Sequence, residues 1–335
     1  MRRGLIGFLL VLAALAAAQP AAALNWARPQ IKIVVENGLM GPSVTEFRPS
    51  APLTRGDLGF ALAALTGEQQ VVVDPGRAVT IGALDAALVK VVGLRPAAKR
   101  FQQVVAGAGL APPGRLGNEV VARLLSLRFN HPAAADDLEL RPQDPATRAE
   151  AAYSLARVLA LSQWEKDRVS SLAGSFSLPA FGDWPKKVLT RAVRFVGYPY
   201  IWGGTSEFQQ VTFGVTSRGG FDCSGYVWRV YKLEPYPGGG RLPTVLRGRT
   251  TYQMSGEVPK SARIPFDRLK PADVVFFGAE GWRSSPSEVD HMGMYVGRGW
   301  VIHSSSQGTT LAPLEGWYRD RFAWARRPLR EAGLL

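Results

Sequence analysis
The chain has 335 residues, 46% of them apolar and 20% charged, a balance that suits a folded chain of two domains and excludes a largely disordered one. Lys and Arg outnumber Asp and Glu by 40 to 27, a formal charge of +13. One cysteine, Cys223, and three histidines, His131, His291 and His303, exclude an internal disulfide and a zinc site built on several thiolates.

Residues 1–23 open with Arg2 and Arg3, continue through an apolar run from Leu5 to Ala18, and end in small residues after Ala18 and Ala23. This three-part pattern is that of a secretory signal peptide. The alternative is an uncleaved anchor, but the run falls short of the roughly 20 residues that span a bilayer. Cleavage is expected, and loss of Arg2 and Arg3 lowers the charge from +13 to +11. No later segment is long and apolar enough to span. In an exported chain the lone Cys223 is either an incidental buried residue or a reactive thiol.

Residues 24–160 are repetitive. Phe47-Arg-Pro-Ser-Ala-Pro-Leu-Thr-Arg-Gly-Asp57 recurs as Leu140-Arg-Pro-Gln-Asp-Pro-Ala-Thr-Arg-Ala-Glu150, offset by 93 residues. Thr54 and Thr147 are suited to cap helices, with Asp57 and Glu150 at capping-box spacing. A weaker third copy starts at Val79-Thr80 and has Ile81 in place of Arg55 and Arg148. These segments resemble the S-layer homology (SLH) repeat, which implies an all-α unit that binds anionic cell-wall polysaccharide. The resemblance makes Arg55 and Arg148 the candidate polysaccharide ligands, since a guanidinium at a helix start offers a forked donor to an anion. The bland alternative is a capped helix with a solvated arginine. His131, in Arg128-Phe-Asn-His-Pro132, reads as a surface-loop residue.

Residues 161–183, rich in Ser, Gly and Pro, read as a linker. A helix is then expected, with Asp183 as its cap and Pro185 in its first turn. Residues 184–335 carry the chemistry, in Gly197-Tyr-Pro-Tyr-Ile-Trp-Gly-Gly204, Gly220-Phe-Asp-Cys-Ser-Gly225, Asp273-Val-Val-Phe-Phe-Gly278, Asp290-His-Met-Gly-Met-Tyr-Val-Gly297 and Trp300-Val-Ile-His-Ser304. Tyr226, Val227, Val230 and Tyr231 follow Cys223 at helical spacing. Asp222 is therefore the cap and Cys223 lies in the first turn, where free N–H groups and the helix dipole favour a thiolate. Val274–Phe277 and Met292–Val296 read as strands. Gly297-Arg-Gly-Trp300 reads as a hairpin turn that sets His291 beside His303.

These motifs, in this order, resemble the NlpC/P60 family of cell-wall cysteine peptidases over about residues 185–328. The resemblance implies an α+β papain-like catalytic domain behind the SLH-like helical domain, and cleavage of peptidoglycan stem peptides between D-glutamate and a diamino acid. It makes Cys223 the nucleophile, His291 the base and His303 the group that orients it. The Cys223 N–H and the Tyr200 hydroxyl become oxyanion donors. Tyr200, Asp222 and Ser224 become substrate-binding residues, with Asp222 suited to a free stem amine; Asp222 as a mere cap is the plainer alternative. Trp202 reads as packing. No metal or cofactor is required, and no nucleic-acid motif is present. The expected protein is a secreted, wall-associated cysteine endopeptidase. The other readings are a wall-binding protein with a degenerate catalytic domain, and an amidase or acyltransferase on the same fold. The 18 residues between Gly204 and Cys223, and the Leu242–Gln253 segment, are longer than the family pattern.

Overall fold
A computed structural model describes residues 26–335, and the signal-peptide reading of residues 1–23 lies outside them. The N-terminal domain is helical: α1 (Arg28–Glu36), α2 (Arg55–Thr66), α3 (Ile81–Val91), α4 (Arg95–Gly107), α5 (Leu116–Leu124) and α6 (Arg148–Leu159). Three helices start where the repeats place them. Thr54 and Asp57 form a reciprocal capping box, and Thr80 and Thr147 accept from the N–H groups of Ala83 and Glu150. Such caps satisfy N–H groups that a helix start leaves without intrahelical partners.

The three starts close a ring. Leu53 N–H donates to the Ala146 carbonyl (2.8 Å), Ala146 to Val79 (2.8 Å) and Val79 back to Leu53 (2.9 Å). A second layer repeats the cycle from the first helical residues, with Arg55 donating to Arg77, Ile81 to Asp144 and Arg148 to Ala51. The weak third copy is thus a full structural member of a threefold arrangement.

The segment expected to be a linker is largely helix. α7 (Gln163–Ser175) begins with a Ser162–Glu165 capping box and buries Val169, Leu172 and Ala173, with Phe176 just beyond. Its serines lie on the exposed side, and tertiary packing of the apolar stripe outweighs their weak helix propensity. α8 (Asp183–Val193) follows; its N-cap is Gly182, and Asp183 sits in the first turn.

The C-terminal domain is mixed α+β. Two short hairpin pairs, β1 (Thr205–Ser206) with β4 (Gly220–Phe221) and β2 (Gln210–Thr212) with β3 (Val215–Ser217), fill the long gap before Cys223. Then come α9 (Cys223–Tyr231), α10 (Leu242–Val245) and α11 (Thr251–Gly256). The main sheet is antiparallel, in the order β8 (Gly308–Pro313), β7 (Trp300–Ser305), β6 (Val289–Gly297), β5 (Val274–Gly278), β9 (Phe322–Arg326). Helices α12 (Trp317–Asp320) and α13 (Pro328–Glu331) flank β9 in sequence. The core helix α9 packs on β6 and β7, burying Tyr226, Val227, Val230 and Tyr231 against Met292, Met294 and Ile302. No helix among the described residues is long and apolar enough to cross a membrane.

Candidate active site
Cys223 is the first residue of α9. Asp222 is the N-cap, accepting the Gly225 N–H, and as the first helical residue Cys223 has no earlier carbonyl in the helix for its own N–H. Gly225 is required by close approach, because a Cβ there would lie 1.9 Å from the Gly204 carbonyl oxygen. This contact presses the helix start onto the Tyr200–Gly204 segment, whose Ile201 N–H donates to the Phe221 carbonyl at 3.2 Å.

The β6–β7 turn has positive φ at both Arg298 (53°) and Gly299 (78°), the tight-hairpin geometry that matches strand twist. With Met294 opposite Ile302, the register places the two histidines diagonally across the pair. His291 Nε2 and His303 Nδ1 are 2.8 Å apart. Tyr318 Oη lies 3.3 Å from His303 Nε2 and extends the line. His303 is fully buried, whereas an edge of His291 reaches solvent. The helix that Cys223 heads packs on β6 and β7, the strands that carry the two histidines.

Burial dominates the electrostatics. It pushes the Cys223 thiol up to about 12, with the Asp222 charge adding and the Ser224 and Met292 N–H groups opposing. It lowers His291 to about 4, partly offset by Asp290, and it lowers His303 well below the usual histidine range. The site therefore rests as thiol and neutral imidazole, and the thiolate expected at the helix start is outweighed by desolvation. Burial also raises the Tyr200 hydroxyl, assisted by the nearby charges of Cys223, Asp222 and Asp136.

Arg249, from the long Leu242–Gln253 segment, was not foreseen. Its guanidinium donates to Ser224 Oγ (2.7 Å), to both Asp222 carboxylate oxygens (3.3 and 3.1 Å) and to the Gly203 carbonyl (2.9 Å). Asp222 also accepts from Ser224 Oγ at 2.9 Å. Asp222, expected to suit a stem amine, and Ser224, expected to bind substrate, are thus already engaged. The signal in the sequence was the lengthened segment itself, but not its destination.

The repeat arginines differ from one another. Arg55 is partly exposed, donating to the Val73 carbonyl (3.2 Å) and lying 3.8 Å from the Asp74 carboxylate. Arg148 is buried, 2.6 Å from Asp57 and 2.8 Å from the Phe47 carbonyl, and it stacks over the Phe47 ring. Its guanidinium ties the two strong repeats together and is not presented to a polymer. His131 is also buried rather than on the surface, packed among Trp26 and Phe129 and bonded to Glu150 at 3.1 Å. Trp202 is 55% exposed rather than packed.

Residues 197–327 match the NlpC/P60 family. This stretch is an NlpC/P60 domain. The chain is 30% identical over 118 residues to a Bacillus subtilis gamma-D-glutamyl-L-lysine dipeptidyl-peptidase, an alignment that covers 35% of this chain and 31% of that protein. It is 32% identical over 147 residues to the Escherichia coli murein DD-endopeptidase MepH, covering 42% of this chain and 45% of that one. The chain thus spans less than half the length of either relative. Among solved structures, an NlpC/P60 family protein from Bacillus cereus superposes with a TM-score of 0.32 at 27% identity, covering 45% of this chain and 41% of that one. The NlpC/P60 domain contains every residue of the Cys223, His291, His303 and Tyr318 line.

Proposed function
We propose that the protein is an exported cysteine endopeptidase that hydrolyses peptidoglycan stem peptides. The observation that carries this reading is the 2.8 Å His291–His303 bond on β6 and β7, the strands on which the helix headed by Cys223 packs. With His303 Nδ1 accepting from His291 Nε2–H, the lone pair of His291 Nδ1 is free for a proton. His291 takes the Cys223 proton as sulfur attacks the carbonyl carbon, and the C=O π electrons move to oxygen. The Cys223 N–H and the Tyr200 hydroxyl then donate to that oxyanion. His291 returns the proton to the leaving amine as the C–N bond breaks, and water, activated by the same base, releases the acyl group from sulfur. His303, steadied by Tyr318, holds the imidazole.

The D-glutamyl–diamino acid bond is the cleavage site we favour, by similarity to the gamma-D-glutamyl-L-lysine relative. The helical domain is assigned to wall attachment as an SLH-like unit. Its ring of three helix starts and the basic charge of the chain support this, with Arg55 as the exposed candidate ligand. A second reading, a wall-binding protein with a silent catalytic domain, draws on the 7% exposure of Cys223 and its raised thiol. Digestion of defined muropeptides separates the two: a new amine and a new carboxylate at the cleaved bond support the endopeptidase.

A further inference from the structure
A cleft of about 680 Å³ opens in the catalytic domain between the segment Glu257–Arg268 and the residues that end β9 and form α13. Its carboxylates are already engaged. Glu257 accepts from the Arg326 guanidinium at 2.8 Å and from the Arg247 N–H at 3.1 Å, and Glu331 accepts from Arg326 Nε at 3.1 Å. Arg327, which also lines the cleft, is held by Asp273 through bonds of 2.7 and 2.8 Å. A second cleft, of about 360 Å³, shares Glu257, Arg326 and Glu331 with the first and carries the groove on to Arg241 and Arg247.

What remains in the groove is positive. Arg263, Arg268 and Arg330 line the first cleft and Arg247 the second, and among the described residues none of these four guanidinium groups meets a carboxylate. Scattered over a convex surface, such arginines would be ordinary solvated groups. Here they line one concavity, and one of them is fixed. The Arg263 guanidinium carbon stands 3.4 Å from the centre of the fully buried Trp324 ring, a cation–π contact, and its Nε is buried without a hydrogen-bond partner. Burial draws its pKa down with no acid to offset it, yet a guanidinium stays charged in a protein. A charged, positioned and unpaired fork is preorganised for an anion.

Resting on the wall-directed reading above, we propose that this groove binds an anionic wall polymer, whose repeating phosphate or carboxylate groups each present a pair of oxygens to Arg263, Arg268, Arg330 and Arg247. Guanidinium forks match such oxygen pairs bidentately. A concave groove admits a flexible chain and keeps a flat bilayer out. No exposed aromatic lines it, so the stacking that holds single-stranded nucleic acid is missing. Neither Cys223 nor either active-site histidine lines the groove, so a polymer held there leaves the catalytic residues uncovered. The catalytic domain then has an attachment of its own, beside the one assigned to the helical domain.

The test uses the full chain and calorimetry with three polymers: poly(glycerol phosphate), polygalacturonate and neutral dextran. At least one of the two anionic polymers is expected to bind and dextran is not, and the tighter of the two tells phosphate from carboxylate. Replacing Arg263, Arg268 and Arg330 together by Gln is expected to weaken that binding about tenfold or more. The pair Arg268→Gln and Arg330→Gln, both exposed, should cost about threefold or more and spares the Arg263 contact with Trp324. Replacing the exposed Lys90, Arg95 and Lys99 by Gln removes the same charge elsewhere and should change affinity by less than about twofold. Melting temperatures establish that the variants fold. No binding of either anionic polymer, equal binding of dextran, or equal losses in the groove and control variants would overturn the proposal. So would tighter binding of a duplex oligonucleotide that the groove variant equally loses. Muropeptide cleavage should be unchanged in the groove variants, and polymer binding by a wild type that cuts nothing would refute the peptidase reading alone.

Discussion

His291 Nε2 and His303 Nδ1 face one another at 2.8 Å across two neighbouring strands. Their rings stand at 80°, and the nitrogen-to-nitrogen distance shows that a lone pair meets the donor. The register of β6 and β7 sets this geometry, and the buried His303 gives His291 a fixed reference.

Replacing His303 by Gln is expected to lower kcat by about 10²-fold or more, because the base loses its orientation and the partner that stabilises its charged form. Tyr318→Phe removes a longer, neutral bond of 3.3 Å, and a loss of about two- to tenfold is expected. Steady-state kinetics on one muropeptide checks both. Equal losses in the two variants would contradict the order.

The resting thiol predicts an alkaline labelling profile. Because burial holds Cys223 near 12, its reaction with iodoacetamide should rise with pH through 8, 9 and 10 without a plateau near neutrality. The neutral His291 bears on stability as well. Its folded value, about 4, lies below the unfolded one near 6.5. Its contribution is full above about pH 6.5 and is lost as the pH falls toward 4. Melting temperatures across that window should fall less steeply in His291→Gln.

Arg249→Gln removes a positive charge that lowers the Cys223 thiol and leaves the Asp222 charge beside it. Alkylation at fixed pH should slow by about threefold or more. Faster labelling would mean that the arginine acts chiefly as a steric cover.

Arg123 binds the domains together. Buried in α5, it donates to the Gly197 carbonyl and, at 2.6 Å, to the Gln307 carbonyl, both in the catalytic domain. Gly197 allows this approach: its φ is 97°, and a Cβ there would lie 2.6 Å from the Glu119 carboxyl carbon. Arg123→Ala strands Glu119 and two carbonyls, and a loss of about 3–5 kcal/mol in urea unfolding is expected. The same logic predicts that the catalytic domain cut free of residues 24–160 melts below the full chain.

What was legible in the sequence was local or periodic. Thr54 with Asp57, the helix after Cys223, and the turn at Arg298-Gly299 each carry their geometry within a few residues, and the β6–β7 register follows from the turn. The partners that tune the site lie too far off for any local pattern. Arg249 is 27 positions from Asp222, and Asp136, which accepts the Trp202 N–H, is 66 from that residue. Helix α7 was hidden because its serines look like a linker while its apolar stripe needs a neighbour to be read. His131 and Arg148 look like surface groups in sequence, yet each is buried beside an acid that compensates it.

The central claim is tested most directly by digesting a defined disaccharide tetrapeptide with the full chain and with Cys223→Ala, and analysing the products by mass spectrometry. The account predicts that wild type hydrolyses the stem after D-glutamate, adding one water across the bond, and that Cys223→Ala, folded to the same melting behaviour, yields no product. Cleavage by Cys223→Ala at an undiminished rate, or no cleavage of any muropeptide by the folded wild type, would contradict it.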